Sequence, residues 1–318
     1  MGTLVSRRPS SRLRRGATLG VAALSGPVEV ERLERGIGFL RSRGYEVREA
    51  SNLRRRKTFL AGTDEERAVG YRELLRDASV DAIVFLRGGY GVSRVLPLLD
   101  AEEVRANPKI HLGASDLTVL HAWIAAHAPM ITFYGPMVAV EMAGEKAEEL
   151  DWESVLRGDP IAPHKIPAEH VLAPGSAEGT LIGGCLSLLA SLCGTPEQVK
   201  ARDSILFWED VGEDTYRLDR MLTQLERAGT LDGLRGMVIG SVVPRRDGES
   251  RETVRDYLCE RFRGSPFPVA MGIQAGHLKN SRTLPLGAVA RLELPGESKI
   301  QNPKSKIGSL AFDGPVVE

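Results

Sequence analysis

Ser115 is the residue whose position best suits covalent chemistry. It lies in Gly113-Ala114-Ser115-Asp116-Leu117, between the short apolar run Lys109–Leu112 and a helical pattern that ends at His127. A serine at a sharp strand-to-helix turn exposes its hydroxyl at the carboxyl edge of a sheet, where the next backbone N–H can stabilise an oxyanion. The segment lacks the second glycine of a GxSxG elbow, and a Ser-Asp pair before a helix also suits an N-cap. The spacing leaves nucleophile and helix cap as two interpretations.

A serine nucleophile needs a base, and the chain offers six histidines. His277 is the strongest candidate because it closes the glycine-bracketed loop Gly272–His277, where small residues let a substrate approach the ring. The other five lie in a strand pattern, on the helix after Ser115 or in a proline-rich stretch: His111, His121, His127, His164 and His170. The last two are expected at the solvated surface. A purely structural loop histidine remains the alternative for His277.

A buried carboxylate is the third group that such chemistry requires, because it orients the imidazole and stabilises its cation. Glu209 fits because it ends the apolar strand pattern Ile205–Trp208, so its side chain would emerge at a strand edge. Glu209 or Asp210 could instead cap the helix that carries Tyr216 and Arg217. We predict that Glu209 serves the chemistry and that Asp210 is the cap.

The glycine-rich turn Arg87-Gly88-Gly89-Tyr90-Gly91 follows a continuous apolar strand pattern, Ala82–Leu86. Such turns can cradle an anion with backbone N–H groups. The turn lacks the Lys-Ser/Thr of a P-loop and the GxGxxG spacing of a dinucleotide site, so it is better suited to a second oxyanion-hole donor than to a nucleotide.

The elements that must position these residues alternate strand, turn and helix from about residue 17. An apolar run at Thr18–Ala23 precedes the turn Ser25-Gly26-Pro27, and Thr63-Asp64-Glu65-Glu66 is a capping box that predicts a helix to about Asp77. Repetition of this pattern predicts an α/β domain over residues 16–150, with a parallel sheet of flavodoxin or Rossmann type and ligands beyond the carboxyl ends of its strands.

A proline-rich stretch over residues 151–178 is interpreted as an interdomain connection. Residues 179–318 then predict a smaller, β-rich α+β domain, with strands near Ile205–Trp208, Met237–Val243 and Val289–Leu294. The polar stretch Glu297–Ile307 is interpreted as a loop.

Composition excludes several classes of protein. The 318 residues are 42% hydrophobic, and Lys plus Arg equal Asp plus Glu at 42 each, so no electrostatic argument for a nucleic-acid partner exists. Three cysteines without CxxC spacing argue against disulfides and a zinc site and favour a reducing compartment. No run reaches the roughly 18 apolar residues that span a bilayer.

The N-terminus imitates a targeting signal, because the arginine pairs Arg7-Arg8 and Arg14-Arg15 precede the apolar run Ala17–Ala23. That run is short, is interrupted by Gly20 and leads into a turn and a patterned helix. We therefore expect it to be the first strand of the fold.

Taken together, these segments resemble the LD-carboxypeptidase family of serine peptidases, which includes muramoyltetrapeptide carboxypeptidases and microcin C self-immunity peptidases. The likeness runs from about Gly16 to Gly287. The matching segments are Ser25-Gly26-Pro27, Ala61-Gly62-Thr63-Asp64, Arg87–Gly91, Ser115-Asp116-Leu117-Thr118, Gly183-Gly184 with Leu186–Leu189, Glu209–Glu213, Tyr216–Leu222, Gly276-His277 and Leu284–Gly287. Two positions depart from the family pattern: Tyr134 stands where histidine is common, and Cys185 where asparagine is usual.

The resemblance implies a Ser-His-Glu triad: Ser115 as nucleophile, His277 as general base and then acid, and Glu209 as the residue that orients His277. The N–H groups of Asp116 and of Gly88 or Gly89 would form the oxyanion hole. It also implies a cytoplasmic homodimer that uses no metal or other cofactor.

The same resemblance implies removal of a terminal D-amino acid, D-alanine, from a muropeptide tetrapeptide in peptidoglycan recycling. A peptidase that detoxifies a microcin-like peptidyl nucleotide on the same triad is the first alternative. A non-enzymatic anion-binding module is the more distant one.

Overall fold

The computed structural model describes residues 7–296 and 307–318. Its strands are β1 (Thr18–Ala22), β2 (Glu46–Glu49), β3 (Ala82–Phe85), β4 (Ile110–Gly113), β5 (Thr132–Tyr134), β6 (His164–Pro167), β7 (Val171–Ala173), β8 (Gly175–Cys185), β9 (Ser204–Val211), β10 (Gly236–Val243), β11 (Val269–Ala270), β12 (Leu284–Leu286), β13 (Val289–Leu294) and β14 (Ile307–Phe312). Its α-helices are α1 (Val30–Ser42), α2 (Asp64–Arg76), α3 (Val92–Val95), α4 (Ala101–Ala106), α5 (Thr118–His127), α6 (Trp152–Leu156), α7 (Leu186–Ser191), α8 (Thr215–Arg227) and α9 (Arg251–Arg261).

The described chain divides into two compact units. The first unit comprises Arg7–Pro160, Lys279–Pro285 and Pro315–Glu318, and the second comprises Ile161–Leu278 and Leu286–Gly314. Residues 151–178, interpreted from sequence as a connection, contain α6, β6, β7 and the start of β8.

The first unit is built on a six-stranded sheet in the order β12-β5-β4-β3-β1-β2. Strands β1 to β5 pair in parallel. The order 2-1-3-4-5 is that of flavodoxin-like folds, in which ligands bind where the strand order reverses, here between β1 and β3. The predicted parallel α/β domain is confirmed, and the apolar run near the N-terminus forms the interior strand β1.

Local signals explain the helices and strands of this unit well. Every residue of β3 is buried, as expected of a strand covered by helices on both faces. The predicted capping box is present on α2: the Thr63 hydroxyl accepts from the Glu66 N–H at 3.1 Å, and the Glu66 carboxylate accepts from the Thr63 N–H at 2.8 Å. Thr63 thereby fixes where α2 begins.

The second unit is built on an eight-stranded mixed sheet in the order β6-β14-β13-β8-β9-β10-β11-β7. Strands β8 to β11 pair in parallel, whereas β13, β14, β6 and β7 pair antiparallel to their neighbours. Helices α7, α8 and α9 pack on this sheet through a cluster that includes Leu189, Leu222, Leu258 and the Trp208 side chain. The predicted β-rich domain is confirmed. Most of the polar stretch Glu297–Ile307 lies outside the described residues, and only Ile307 is seen, at the start of β14.

Candidate active site

Ser115 lies on the sharp turn that the sequence predicts, directly after β4. Its φ is +61°, in the left-handed region that a non-glycine residue adopts at a steric cost on the order of 1 kcal/mol or more. The following residues form one turn of 3-10 helix, Ser115–Leu117, which leads into α5. Ala114 is the N-cap residue of that turn, and no side chain caps it. The helix-cap interpretation of Ser115 is therefore wrong, and the strained turn is the geometry of a nucleophile elbow.

The Asp116 side chain ties this elbow to two other turns at the same sheet edge. Its Oδ2 accepts from the Ser25 hydroxyl at 2.6 Å and from the Val92 N–H at 3.0 Å, so it joins the turn after β1 to the start of α3. Burial raises the pKa of the Asp116 carboxyl. The carboxylate thus links the turn after β1 to the start of α3 inside the first unit.

Gly88 passes so close to Ser115 that only glycine fits. A Cβ added at Gly88 would lie 2.7 Å from the Ser115 Cβ, 2.9 Å from its Oγ and 3.2 Å from the Asp116 nitrogen. The buried Arg67 side chain supports this turn, because its guanidinium donates to the Gly91 carbonyl at 2.8 Å and to the Leu24 carbonyl. The two predicted oxyanion-hole residues, Gly88 and Asp116, therefore both lie against the serine.

Tyr134, one of the two departures from the family pattern, contacts the elbow directly. Its hydroxyl accepts a hydrogen bond from the Ser115 N–H at 2.9 Å, and its fully buried ring lies 6.1 Å from that of His121. A strained backbone persists only where its surroundings hold it. We infer that Tyr134 is a positioning residue for Ser115.

Tyr134→Phe is expected to lower kcat roughly tenfold with little change in KM, since an unsatisfied N–H at the elbow costs about 1–3 kcal/mol. Steady-state kinetics on a peptide substrate checks this. Tyr257→Phe is the matched control, because it removes one hydroxyl that donates to Asp219 at 3.0 Å, between α9 and α8. Equal kinetic losses in both variants would contradict a specific role for Tyr134.

Glu209 and His277 form a hydrogen-bonded pair in the second unit. The His277 Nδ1–H donates to the Glu209 Oε2 at 2.7 Å, and the His277 backbone N–H donates to the same oxygen at 3.1 Å. Glu209 is fully buried, whereas the His277 side chain is 27% exposed. A proton held on Nδ1 places the lone pair on Nε2, which is the tautomer that a general base requires.

A β-bulge in β10 makes room for this pair. Ile239 pairs with Trp208 and Val242 with Asp210, so Gly240 and Ser241 both stand opposite Glu209. The Ser241 hydroxyl lies 3.5 Å from the Glu209 Oε2. Gly276 has a φ of +105°, and a Cβ there would lie 2.5 Å from that oxygen, so only glycine brings His277 this close. Glu209 lies inside β9, not at the strand end that its sequence pattern predicts.

Three of the other histidines are buried. His111 and His121 are buried, and burial lowers the pKa of each to about 4, so they stay neutral. His111 bonds the Tyr71 hydroxyl at 2.8 Å and His121 the Gly113 carbonyl at 2.9 Å. The expectation of a solvated surface is wrong for His164, which is buried on β6.

Asp210 caps a different helix from the predicted one. Its Oδ2 accepts from the Ser187 N–H of α7 at 2.7 Å, and its Oδ1 accepts from the Val211 N–H at 2.8 Å. Helix α8, which carries Tyr216 and Arg217, begins instead after Asp214. The prediction failed because pairing of β8 with β9 brings the start of α7 to Asp210. Burial raises the pKa of Asp210 to about 6.

The raised pKa makes stability depend on pH in a defined window. Between pH 4 and pH 6 the folded protein holds a proton on Asp210 that the unfolded chain has lost, so the free energy of unfolding falls as pH rises, by on the order of 3 kcal/mol. Asp210→Asn is expected to flatten this segment. Melting temperatures of the wild type and of Asp210→Asn, measured from pH 4 to 7, test this expectation. If the melting temperatures of the two proteins changed with pH in parallel, the raised pKa would not belong to Asp210.

Each unit thus brings together part of the predicted site. Ser115, Gly88 and Asp116 are adjacent in the first unit, and Glu209 and His277 are bonded in the second. In the part of the chain that the structure describes, no group of three or more histidine, cysteine, aspartate or glutamate side chains could hold a metal ion. No described helix is both long and apolar enough to cross a membrane.

A serine elbow on a flavodoxin-like sheet and a carboxylate-histidine pair in a second unit are the kinds of group that serine peptidases use. Comparison with known families agrees: residues 19–135 match the LD-carboxypeptidase N-terminal domain, and residues 178–292 match the LD-carboxypeptidase C-terminal domain. The chain belongs to the LD-carboxypeptidase family and is a carboxypeptidase.

Relatives align over nearly the whole chain. A Streptomyces coelicolor protein that carries a carboxypeptidase name is 41% identical over 98% of this chain and 97% of its own. The murein tetrapeptide carboxypeptidase of Pseudomonas aeruginosa is 31% identical over 91% of this chain and 98% of its own.

Solved structures share the two-domain fold. The muramoyltetrapeptide carboxypeptidase from Oxalobacter formigenes superposes with a TM-score of 0.80 at 29% identity, covering 94% of this chain and 99% of that one. A microcin C7 self-immunity protein superposes with a TM-score of 0.83, covering 98% and 99%, but at 24% identity this likeness concerns the fold alone.

Proposed function

We propose that the protein removes a terminal D-amino acid, D-alanine, from a muropeptide tetrapeptide, with Ser115, His277 and Glu209 as its catalytic triad. The observation that carries the proposal is the Ser115 elbow, a left-handed serine held against Gly88 and the Asp116 nitrogen. The bonded pair of Glu209 and His277 supplies the base that such a serine requires. The names of the P. aeruginosa and O. formigenes proteins support the substrate class.

The reaction would proceed in two stages. Ser115 Oγ attacks the carbonyl carbon of the scissile amide while its proton passes to His277 Nε2, and the N–H groups of Asp116 and Gly88 stabilise the oxyanion. His277 then gives that proton to the departing amine of D-alanine. A water molecule, deprotonated by His277, hydrolyses the acyl-enzyme and regenerates Ser115.

Glu209 acts in this scheme without itself receiving the proton. Its buried carboxylate holds the Nδ1 proton of His277 and stabilises the imidazolium formed in each stage. The scheme uses no cofactor. We propose further that the protein acts as a cytoplasmic homodimer in peptidoglycan recycling, as the family resemblance implies.

Incubation of the protein with a defined muropeptide tetrapeptide, followed by mass analysis, tests the proposal. The expected product is the tripeptide, lighter than the substrate by one alanine residue, with free D-alanine released. Cleavage of a peptidyl nucleotide in place of the tetrapeptide would overturn the substrate assignment in favour of a self-immunity activity. Cleavage of neither substrate would favour the anion-binding alternative.

A further inference from the structure

A cavity of about 630 Å³ opens within the first unit beside the proposed oxyanion hole. Its walls come from the turn after β1, at Gly26 and Pro27, and from the turn after β3, at Arg87 and Gly89. This is the point between β1 and β3 at which flavodoxin-like sheets bind ligands. The cavity lies next to the turn that contacts the nucleophile, since its lining residue Gly26 donates its N–H to the Gly88 carbonyl at 3.4 Å and Gly88 contacts Ser115.

The cavity wall carries a local excess of positive charge in a chain whose formal net charge is zero. Three arginines, Arg32, Arg56 and Arg87, line it together with the single carboxylate Glu29. Glu29 pairs with Arg56 at 2.7 Å. Within residues 7–296 and 307–318, Arg87 donates only to the neutral carbonyls of Gly88 and Pro27, at 3.1 and 3.3 Å. Arg32 is exposed and has no carboxylate partner among the described residues. Two guanidinium groups therefore remain for an anion.

A strained turn presents an aromatic side chain on the same wall. Lys57 and Leu60 exchange backbone hydrogen bonds at 2.8 and 2.9 Å, which closes a tight turn with Thr58 at φ +56°. The turn places Phe59, 55% exposed, 6.0 Å from the ring of Tyr90, 50% exposed. A β-branched residue rarely adopts positive φ, and such strain concentrates at ligand-binding sites. Two half-exposed rings offer contact area for the apolar atoms of a ligand.

We propose that this arginine pocket, defined by Arg32, Arg56, Arg87, Phe59 and Tyr90, binds a carboxylate of the peptide substrate. Guanidinium groups bind carboxylates through paired, charge-assisted hydrogen bonds, and the rings pack against the adjoining peptide. The volume suits a ligand larger than one alanine. The identity of the ligand rests on the proposed function. The bound carboxylate is either the C-terminal one or one in the part of the peptide that forms the acyl-enzyme.

Binding to the inactive Ser115→Ala protein, with and without Arg32→Gln, tests the pocket apart from catalysis. Calorimetry would compare three ligands: the free tetrapeptide, its C-terminal amide, and the peptide whose internal acidic carboxylate is amidated. Arg32→Gln is expected to raise Kd for the free peptide roughly 10- to 100-fold, the value of a charge-assisted hydrogen bond. One of the two amidated ligands should bind with the same Kd to the Ser115→Ala protein with and without Arg32→Gln. The carboxylate that this ligand lacks is then the one that the pocket binds.

Arg35→Gln is the matched control, because Arg35 lies one turn further along α1, pairs with Glu31 and does not line the cavity. Its Kd should stay within twofold of that of the Ser115→Ala protein. The inference is overturned if Arg32→Gln changes nothing, or weakens all three ligands equally. Failure of the proposed function would give a different result: the protein with an intact Ser115 would bind the tetrapeptide through Arg32 but would not cleave it.

Discussion

Ser115→Ala is expected to lower kcat for tetrapeptide cleavage by roughly 10⁴- to 10⁶-fold, the loss that follows removal of a serine nucleophile. The substitution deletes only Oγ, and alanine adopts the φ of +61° at the same steric cost as serine. Folding should therefore be unchanged, and the melting temperature should match that of the wild type. Initial rates of D-alanine release measure the effect.

Two companion variants make the result specific. Ser42→Ala deletes the equivalent oxygen at the end of α1, where the hydroxyl donates to the Phe39 carbonyl at 2.7 Å, and should retain full activity. Ser115→Gly should be equally inactive but more stable than Ser115→Ala, because glycine relieves the strain at positive φ. Activity of Ser115→Ala within tenfold of the wild type would assign the nucleophile elsewhere.

The local sequence predicts the elbow and its supports because each depends on a few consecutive residues. The strand, glycine turn and helix around Ser115 follow from hydrophobic patterning, and the Thr63 capping box from side-chain chemistry over four residues. The glycines at 88 and 276 could be singled out for the same reason. The pattern could not show why glycine is required at these two positions, because the atoms that exclude a Cβ there belong to Ser115 and Glu209.

The features missed are those that depend on strand register. Tyr134 reaches Ser115 because β5 pairs with β4, with Gly113 opposite Tyr134. The Ser241 bulge depends on the pairing of β10 with β9, and the capping of α7 by Asp210 on the pairing of β9 with β8. No spacing within one segment encodes these contacts. A tyrosine hydroxyl at the end of the mostly apolar run Met130–Tyr134 was the one available signal, because a buried hydroxyl needs a partner.

His277→Ala is expected to be as damaging as Ser115→Ala, with kcat lowered roughly 10⁴- to 10⁶-fold, because it removes the base from both stages of the reaction. It should also lower the melting temperature. The Glu209 carboxylate is fully buried and would lose its 2.7 Å hydrogen bond, while keeping the 3.1 Å bond from the backbone N–H at residue 277.

Glu209→Gln separates the loss of kcat from the loss of stability. A glutamine retains the volume and one acceptor but no negative charge, so the imidazolium loses its stabilisation and kcat should fall about 10⁴-fold. His127→Ala, which removes a half-buried histidine at the end of α5, should leave kcat within twofold. If His277→Ala and His127→Ala were equally active, the bonded pair would be structural. If Glu209→Gln were inactive while His277→Ala was not, the carboxylate itself would be the base.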